Sequence, residues 1–459
     1  MIKRIKLDSK IFLVLIISVI VYSNTLFFDF VWDDIPFLLE NEKIRSLSKF
    51  YRFFIEPMPT DLVPLHYRPI SMISFALDYS IWGYNPFGYH LTNVVLNSFF
   101  CIMIFIFTKS FLNDKLSFLT ALLFSVHPVH CDAVSWIMAR GDVLSALFMT
   151  LSLYLYSIFI KNYDKKKLLY SYISFILAIL SKENAVIFPL IVFIFNYYFG
   201  RRDKIKHIIP YFLILIVYSW LRMQILPQPM GKDNPFIWSF LTSFRLIFEY
   251  IRLLVFPYPL KVIYYNFPIY KNFFDFEWIF FFLFFIFLSI LIVYIGRKNR
   301  IIMFSYLSLI ISLLPVSGYP NIIDISPVGE RYLYFPSLFF ILFVCTIIIK
   351  FNKYFKIGYF IVVLLGLYTF YWNFNWKSQE VFLNKMLKDA PDYEGVNYEL
   401  GYLNLKKGNY EESERYFKRA IEIMPNYLEA YIMLGNLYNA KMMYEKALET
   451  YLYALEFLD

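Results

Sequence analysis

Residues Trp278–Gly296 read WIFFFLFFIFLSILIVYIG, a run that contains no Asp, Glu, Lys or Arg. An apolar run of roughly 18 or more residues is long enough to cross a hydrocarbon core of about 30 Å as a helix. The whole chain of 459 residues is 59% hydrophobic and 17% charged, whereas soluble domains carry about 25% charged residues. The composition therefore predicts a membrane protein.

Further apolar segments follow one another along the chain and together predict about eleven membrane spans. The predicted spans are Ile11–Phe28, Leu91–Thr108, Leu116–Val129, Val143–Ile160, Leu168–Ser181, Asn184–Phe199, Ile208–Leu221, Trp278–Gly296, Ile301–Pro315, Tyr332–Ile349 and Ile357–Phe374. Several are short and must lie inside the bundle or where the bilayer is thinner. The first is long for a signal peptide and no small-x-small cleavage site follows it, so we expect an uncleaved span.

The basic residues form short clusters between the apolar runs. These clusters are Lys3/Arg4/Lys6/Lys10, Lys161/Lys165/Lys166/Lys167, Arg201/Arg202/Lys204/Lys206, Arg297/Lys298/Arg300 and Lys350/Lys353/Lys356. With the predicted spans, every cluster falls on one face, and the positive-inside rule makes that face cytoplasmic. The N-terminus is then cytoplasmic and the C-terminal tail is extracytoplasmic. Because the net charge of +9 is explained by topology, nucleic acid is not an expected partner.

The segment Phe236–Leu260 is apolar but carries Arg245, Glu249 and Arg252 at helical spacing. We expect an amphipathic helix that lies in the outer membrane–water interface. If this segment crossed the membrane instead, the charge pattern downstream would invert and the tail would move inside.

The C-terminal tail repeats with a period of 34 residues, for example from Gly401 to Gly435. Leu-Gly, a later aromatic residue, Ala and a closing Pro at this period are typical of tetratricopeptide repeats, in which small residues let paired helices approach. The sequence thus predicts an all-α fold, a polytopic membrane helix bundle followed by a short α-solenoid. The predicted units are a membrane domain at 1–376 with a first extracytoplasmic loop at 29–89, and a tail at 377–459 with repeats at 394–427 and 428–459 after a partial one.

Two adjacent carboxylates, Asp33 and Asp34, follow the first predicted span. A carboxylate near the headgroup plane can take a proton from an acceptor hydroxyl while a phosphate-linked group is displaced. Asp is also common at helix N-caps and loop ends, and the dipeptide alone favours that structural role. The charged motifs on the same predicted face are what favour catalysis.

Those motifs lie at predicted outer ends of spans: His66-Tyr67-Arg68-Pro69, Arg140-Gly141-Asp142, Ser181-Lys182-Glu183 and Glu330-Arg331-Tyr332. Charged groups at membrane depth are costly and usually mark a pathway or a site. The four cations, Arg68, Arg140, Lys182 and Arg331, would suit a phosphate or pyrophosphate group. In the alternative interpretation each charge pairs with its sequence neighbour, as Lys182 would with Glu183 or Glu330 with Arg331.

The segment His127-Pro128-Val129-His130-Cys131-Asp132 contains two imidazoles whose spacing permits one helical face. Pro128 disturbs that turn, so we expect polar lining of a cavity rather than a metal site. A divalent metal is not favoured, and no cofactor is firmly implied. The sequence contains no Gly-rich phosphate loop, Cys-x-x-Cys or nucleophile elbow, so a nucleotide-driven activity has no support.

Taken together, these segments resemble the transmembrane and tetratricopeptide-repeat O-mannosyltransferases. The matching motifs, in family order, are Tyr22–Asp34, His66–Pro69, Trp82–His90, His127–His130, Arg140–Asp142, Ser181–Glu183 and Glu330–Pro336. The resemblance covers essentially the whole chain. It implies a glycosyltransferase of the C-type membrane fold with a lipid-phosphate sugar donor.

The resemblance also implies roles for individual residues. The acidic pair supplies the base, and Asp33 is slightly favoured over Asp34. The residues expected at the donor phosphate are Arg68, Arg140, Lys182 and Arg331. For the sugar pocket the resemblance implies His90 or His130. The full set of residues that we expect in the substrate pocket is His66, Tyr67, His90, His127, His130, Asp142, Glu183 and Glu330.

We therefore expect a mannose-like sugar to pass from a polyprenyl phosphate to a hydroxyl of a protein or envelope glycan, by inverting displacement on the extracytoplasmic side. The alternative is a catalytically inactive membrane scaffold that recruits envelope partners through its repeats. A transporter would carry charges in mid-span, whereas these charges gather at one edge. The short array, the lack of disulfides and the uncleaved first span fit a bacterial inner membrane.

Overall fold

The computed structural model describes residues 9–57, 66–200, 202–226, 236–317, 326–350 and 355–455. In these ranges the chain forms α-helices joined by short 3-10 or π turns and loops, with no β-strand. The all-α fold class is confirmed. Several residues of the basic clusters, Lys3, Arg4, Lys6, Arg201 and Lys353, lie outside the described residues.

The part of the structure that precedes the tail contains fifteen described helices. They are α1 (Ser9–Tyr22), α2 (Arg52–Ile55), α3 (Pro69–Trp82), α4 (Pro86–Lys109), α5 (Asp114–Val126), α6 (Cys131–Ser135), α7 (Arg140–Asn162), α8 (Lys165–Ser181), α9 (Phe188–Phe199), α10 (Ile209–Ile225), α11 (Phe236–Val255), α12 (Phe276–Gly296), α13 (Arg300–Ser317), α14 (Pro336–Lys350) and α15 (Phe355–Trp372).

Each predicted span overlaps one of these helices, but the number of spans is not confirmed. Among the described residues, six helices are long and apolar enough to cross a membrane: Ser9–Phe27, Pro86–Lys109, Ile137–Asn162, Ile205–Ile225, Phe276–Gly296 and Ile357–Trp376. The helices α5 and α6 pass the same test only as a pair bent by 57°. Other apolar helices have 10–17 residues, which at about 1.5 Å per residue is less than a core of about 30 Å.

The centre of the membrane bundle consists of α4, α5 and α7. α4 packs against α1, α5 and α7, while α5 also packs against α14 and α15. Within the span windows, 72% of Ile137–Asn162 is buried, against 11% of Phe276–Gly296. α7 therefore belongs to the protein core, whereas α12 presents most of its apolar surface outward, as a lipid-facing helix would.

The segment expected to form an amphipathic interfacial helix is helical. α11 packs against α12 and α13, and the Arg245 guanidinium lies 4.5 Å from the centroid of the Phe281 ring. Arg252 donates to Glu249 within the same helix. Arg245 thus has an aromatic partner and Arg252 an acidic one, and the interfacial placement stays a prediction.

The tail consists of paired antiparallel helices: α16 (Gln379–Asp389), α17 (Glu394–Lys406), α18 (Tyr410–Ile423), α19 (Leu428–Ala440) and α20 (Tyr444–Leu455). A Cβ added to Gly401 would lie 2.6 Å from the Phe417 ring, and one added to Gly435 would lie 2.3 Å from the Tyr451 ring. The glycines are needed because each aromatic ring fills the space where a Cβ would be.

The first tail helix is continuous with the membrane domain. One hydrophobic cluster contains Tyr22 and Val31 from the N-terminal part together with Phe382 of α16 and Leu400 of α17. The Asp29 amide also donates to the Lys377 carbonyl at 3.0 Å. The tail is therefore fixed on the membrane face that carries the acidic pair.

Candidate functional site

A cavity of about 570 Å³ lies where the membrane domain meets the tail. Its lining comes from the loop after α1, from α6 and the residue that follows it, from two further loops, and from α16 with its flanking residues. The lining residues are, in that order, Trp32 and Asp33; Asp132 and Trp136; Lys261 to Tyr264, Ser326 and Val328 to Tyr332; and Trp376, Phe382, Met386 and Tyr393. Small-molecule sites occupy about 300–1,000 Å³, so this cavity has room for a sugar unit.

Asp33 is the member of the acidic pair that faces the cavity. Its side chain is partly exposed, and no described residue donates a hydrogen bond to its carboxylate. Burial raises the pKa of Asp33 to about 6, while the charges of Arg331 and Arg68 act in the opposite direction. A carboxylate with this pKa is ionised at neutral pH and suited to accept a proton.

Asp34 points the other way, into the protein, and its exposure is 0%. Its two oxygens accept from the Val31 and Met138 backbone amides, each at 3.0 Å. Burial raises the pKa of Asp34 to about 8, although these two amides lower it. Asp34 thus ties the loop after α1 to the turn before α7, which is a structural task.

Arg331 is the sequence-predicted cation that lines the cavity. Its backbone amide and its Nη1 both donate to Asp132 Oδ2, at 3.1 and 3.3 Å. Its guanidinium lies 4.9 Å from the Trp136 ring centroid and 4.8 Å from that of Tyr332. Two aromatic faces and one carboxylate therefore hold this cation at the cavity wall.

Lys182 and Arg68 do not line the cavity themselves. Lys182 Nζ lies 5.5 Å from the Tyr332 ring centroid, so one ring contacts both Lys182 and Arg331. Lys182 donates to Asp142 at 2.5 Å. Arg68 makes a bidentate pair with Glu183, at 2.9 and 2.5 Å. Every pair joins residues distant in sequence, so the alternative that each charge pairs with its sequence neighbour is not what the structure shows.

Arg140 does not line the cavity. Its side chain is 0% exposed and forms an ion pair with Asp78 at 2.6 Å. It also donates to Asn93 at 2.6 Å and to the Tyr89 carbonyl at 2.9 Å. A phosphate could reach this guanidinium only by displacing these partners, so the structure gives Arg140 the role of joining α3, α4 and α7.

Glu330 forms part of the cavity wall and is 1% exposed. Its Oε1 accepts from the Lys261 amide and the Tyr264 hydroxyl, both at 2.9 Å, whereas Oε2 is buried without a hydrogen-bond partner among the described residues. Burial, followed by the charge of Asp132, raises the pKa of Glu330 well above its usual value.

Three other residues predicted for the substrate pocket, His66, Tyr67 and His90, lie outside the cavity lining. His66 lies 3.8 Å from Glu183, and the Arg68 charge together with burial lowers the pKa of His66 to about 3, so the imidazole is neutral. The Tyr67 hydroxyl donates to the Phe54 carbonyl at 3.0 Å. His90 is buried against Phe28, with ring centroids 6.2 Å apart.

His127 and His130 act as hydrogen-bonding core residues. His127 Nε2 lies 3.1 Å from the Leu254 carbonyl. His130 Nδ1 lies 2.9 Å from the Phe124 carbonyl, and its Nε2 lies 2.7 Å from the Ser337 hydroxyl. Within the described ranges no group of three or more His, Cys, Asp or Glu side chains could hold a metal ion.

Several lining residues were not selected from the sequence. Asp132 and Lys261 are charged lining residues, and Trp136 and Tyr332 are aromatic ones. Phe382 and Met386 of α16 line another side of the cavity. Asp132 and Tyr332 adjoin selected motifs, which was an available signal. Lys261 and the residues of α16 carry no local signal, because only the tertiary fold brings them to the site.

The described part of the chain combines a helix bundle with several membrane-length apolar helices, a charged cavity and a helical repeat tail, which defines a polytopic membrane protein. Residues 69–221 match the family model described as dolichyl-phosphate-mannose-protein mannosyltransferase. Residues 395–427 match the tetratricopeptide repeat. The chain is an integral membrane protein with a tetratricopeptide tail.

Curated proteins named protein O-mannosyl-transferases are similar to this chain. Protein O-mannosyl-transferase TMTC3 of Homo sapiens is 26% identical over 94% of this chain and 53% of its own length. Protein O-mannosyl-transferase F38B6.6 of Caenorhabditis elegans is 27% identical over 90% of this chain and 62% of its own. This chain spans about half the length of the first two curated relatives it matches. The resemblance indicated by the motifs is confirmed.

Proposed function

We propose that the protein transfers a mannose-like sugar from a polyprenyl-phosphate donor to a hydroxyl acceptor at the cavity between membrane domain and tail. The observation that carries this proposal is the placement of Asp33, whose partly exposed carboxylate shares a cavity with Arg331. The names of the relatives supply the expected reaction class.

In the proposed reaction Asp33 takes the proton of the acceptor hydroxyl. The acceptor oxygen attacks the anomeric carbon, the bond between that carbon and the phosphate oxygen breaks, and the configuration inverts. Arg331 offsets the charge on the leaving polyprenyl phosphate, an electrostatic role that is strong where water is excluded. Arg68 and Lys182 add positive potential from behind the wall, even though each is paired with a carboxylate.

The proposed site faces the extracytoplasmic side, and the acceptor is a protein or an envelope glycan. The positive-inside pattern supports this orientation. Attachment of the tail beside Asp33 supports the proposal that the acceptor is recognised on the same face. A bacterial inner membrane remains the proposed location.

The test is sugar transfer by purified protein from labelled polyprenyl-phosphate mannose to a membrane extract. Wild type is compared with Asp33→Asn, which should lose about 10²–10⁴-fold in rate because a general base is removed. A matched control is Lys388→Ala, an exposed position on α16. Transfer by Asp33→Asn at the wild-type rate would contradict the mechanism.

Each of the four candidate phosphate-binding cations is paired with a carboxylate, which favours the second candidate, an inactive scaffold. That function predicts no transfer by wild type with any polyprenyl-phosphate sugar, and capture of envelope proteins that is unchanged in Asp33→Asn.

A further inference from the structure

Trp32, the residue before Asp33, has an unusual backbone conformation. Its φ is +52°, in the left-handed region that a bulky side chain rarely adopts. Such a conformation persists only where surrounding contacts enforce it. Because Trp32 and Asp33 share a peptide unit, whatever holds Trp32 also sets the direction of the Asp33 carboxylate.

The contacts on Trp32 come from the first helix of the tail. Gln379 Oε1 accepts from the Trp32 amide at 2.7 Å. The ring of Phe382 lies 5.9 Å from the Trp32 ring, centroid to centroid. Gln379 and Phe382 are three positions apart and therefore share one face of α16. A polar bond and an aromatic contact thus act on the same residue.

The other end of α16 is attached to the opposite side of the cavity. Asp389 Oδ2 accepts from the Val262 amide at 2.9 Å, next to the cavity residue Lys261. Between the two attachment points, Met386 lines the cavity. α16 therefore crosses the cavity and connects the loop of Asp33 with the loop of Lys261.

We propose that α16 is a positioning element of the transfer site, in which Gln379 and Phe382 hold Trp32 in its left-handed conformation and so direct Asp33 into the cavity. This inference rests on the proposed function of Asp33. It makes the start of the repeat tail part of the catalytic apparatus, in addition to any role in partner binding.

The experiment compares Gln379→Leu, which removes the acceptor for the Trp32 amide, with Gln379→Glu, which keeps an acceptor. Asn384→Leu is the matched control, because Asn384 is exposed on the same helix and donates only to the Glu380 carbonyl. Three quantities are measured in the full-length protein: amide hydrogen exchange of residues 29–38, kcat and KM for transfer, and the pH profile of kcat.

Gln379→Leu is expected to increase exchange in this segment and to lower kcat about 10–100-fold with little change in KM, because the base is displaced and not removed. Gln379→Glu should keep most of the wild-type kcat above pH 7. The negative charge that Gln379→Glu adds lies beside the loop of Asp33, and a like charge disfavours ionisation of Asp33. In the pH profile of kcat, the decrease on the acidic side should therefore occur at higher pH than in wild type. Asn384→Leu should match wild type in every measurement.

Unchanged exchange in Gln379→Leu would overturn the inference without any activity measurement. Increased exchange with an unchanged kcat would also overturn it, and would leave the proposed function standing as long as Asp33→Asn loses transfer. Equal losses in Gln379→Leu and Gln379→Glu above pH 7 would show that acceptance from the Trp32 amide is not what matters.

Discussion

Two adjacent aspartates have opposite environments in this protein. Asp33 lies in the cavity without a hydrogen-bond donor among the described residues, whereas Asp34 is buried and accepts two backbone amides. The left-handed conformation of Trp32 precedes them, and successive residues point apart. Because the two side chains have the same chemistry, the direction in which each one points decides whether it can act on a substrate in the cavity.

Asp34→Asn should lower the free energy of unfolding by roughly 1–3 kcal/mol, because the amide nitrogen of Asn cannot accept from the Val31 or Met138 amide and leaves one donor unsatisfied. Asp33→Asn should leave stability unchanged, since its carboxylate accepts no hydrogen bond in the described structure. Thermal unfolding of both variants in detergent measures the contrast. Equal midpoints would show that Asp34 is not an anchor.

The pH dependence of transfer should follow Asp33. Its pKa is raised to about 6 by burial, and a general base must be deprotonated, so the rate should be constant above pH 7 and fall as pH decreases through about 6. Arg331→Gln removes the leading charge that lowers this pKa, so its acidic limb should move to higher pH. A limb near pH 4 in wild type would mean that Asp33 is not the titrating base.

At the scale of elements, the repeat tail shows how a period in sequence becomes packing. Gly401 and Phe417 meet between α17 and α18, and Gly435 and Tyr451 meet between α19 and α20. A 34-residue period arises because each unit repeats the same close approach of two helices. α16 differs from the later helices because it packs on the membrane domain and crosses the cavity.

Gly401→Ala should destabilise the tail by about 1–3 kcal/mol, since the added methyl would lie 2.6 Å from the Phe417 ring and force a shift. The same substitution at Gly366 is the control, because there the nearest atoms to the added methyl, on Val126 and Val21, lie at 3.5–3.7 Å, which is ordinary van der Waals contact. Chemical unfolding followed by circular dichroism compares the two. Equal unfolding midpoints for the two variants would contradict the inference that close packing against Phe417 requires a glycine at position 401.

At the scale of the whole molecule, the tail and the acidic pair occupy one face. α7 begins at Arg140 beside the site and ends at Asn162; as a helix of this length it spans about 34 Å. Tyr163, at its far end, is exposed, and therefore lies on the opposite face. The proposed orientation makes the first face extracytoplasmic.

Labelling of single-cysteine variants in intact cells should show which face of the protein is extracytoplasmic. Glu42→Cys and Lys388→Cys, both at exposed positions, should react with a membrane-impermeant maleimide, whereas Tyr163→Cys should react only after permeabilisation. The native cysteines Cys101, Cys131 and Cys345 are buried, so background labelling should be low. Labelling of Lys388→Cys only after permeabilisation would place the tail in the cytoplasm.

The amino-acid sequence alone is sufficient to predict the all-α membrane class and the repeat tail. Long apolar runs such as Trp278–Gly296 require helices, because in lipid the backbone must satisfy its own hydrogen bonds. The 34-residue period likewise follows from contacts within one unit. The number of membrane spans cannot be predicted from the sequence alone, because an apolar helix of 10–17 residues can either cross the membrane or be buried in the protein core.

Which charged side chains pair with each other depends on the tertiary fold. Lys182 pairs with Asp142 and not with Glu183, and Arg331 pairs with Asp132 and not with Glu330. Adjacent residues point in different directions, so ion pairs of buried charges form between segments that the fold brings together. For the same reason α16, far from Asp33 in sequence, forms a wall of its cavity, and no local pattern could have predicted it.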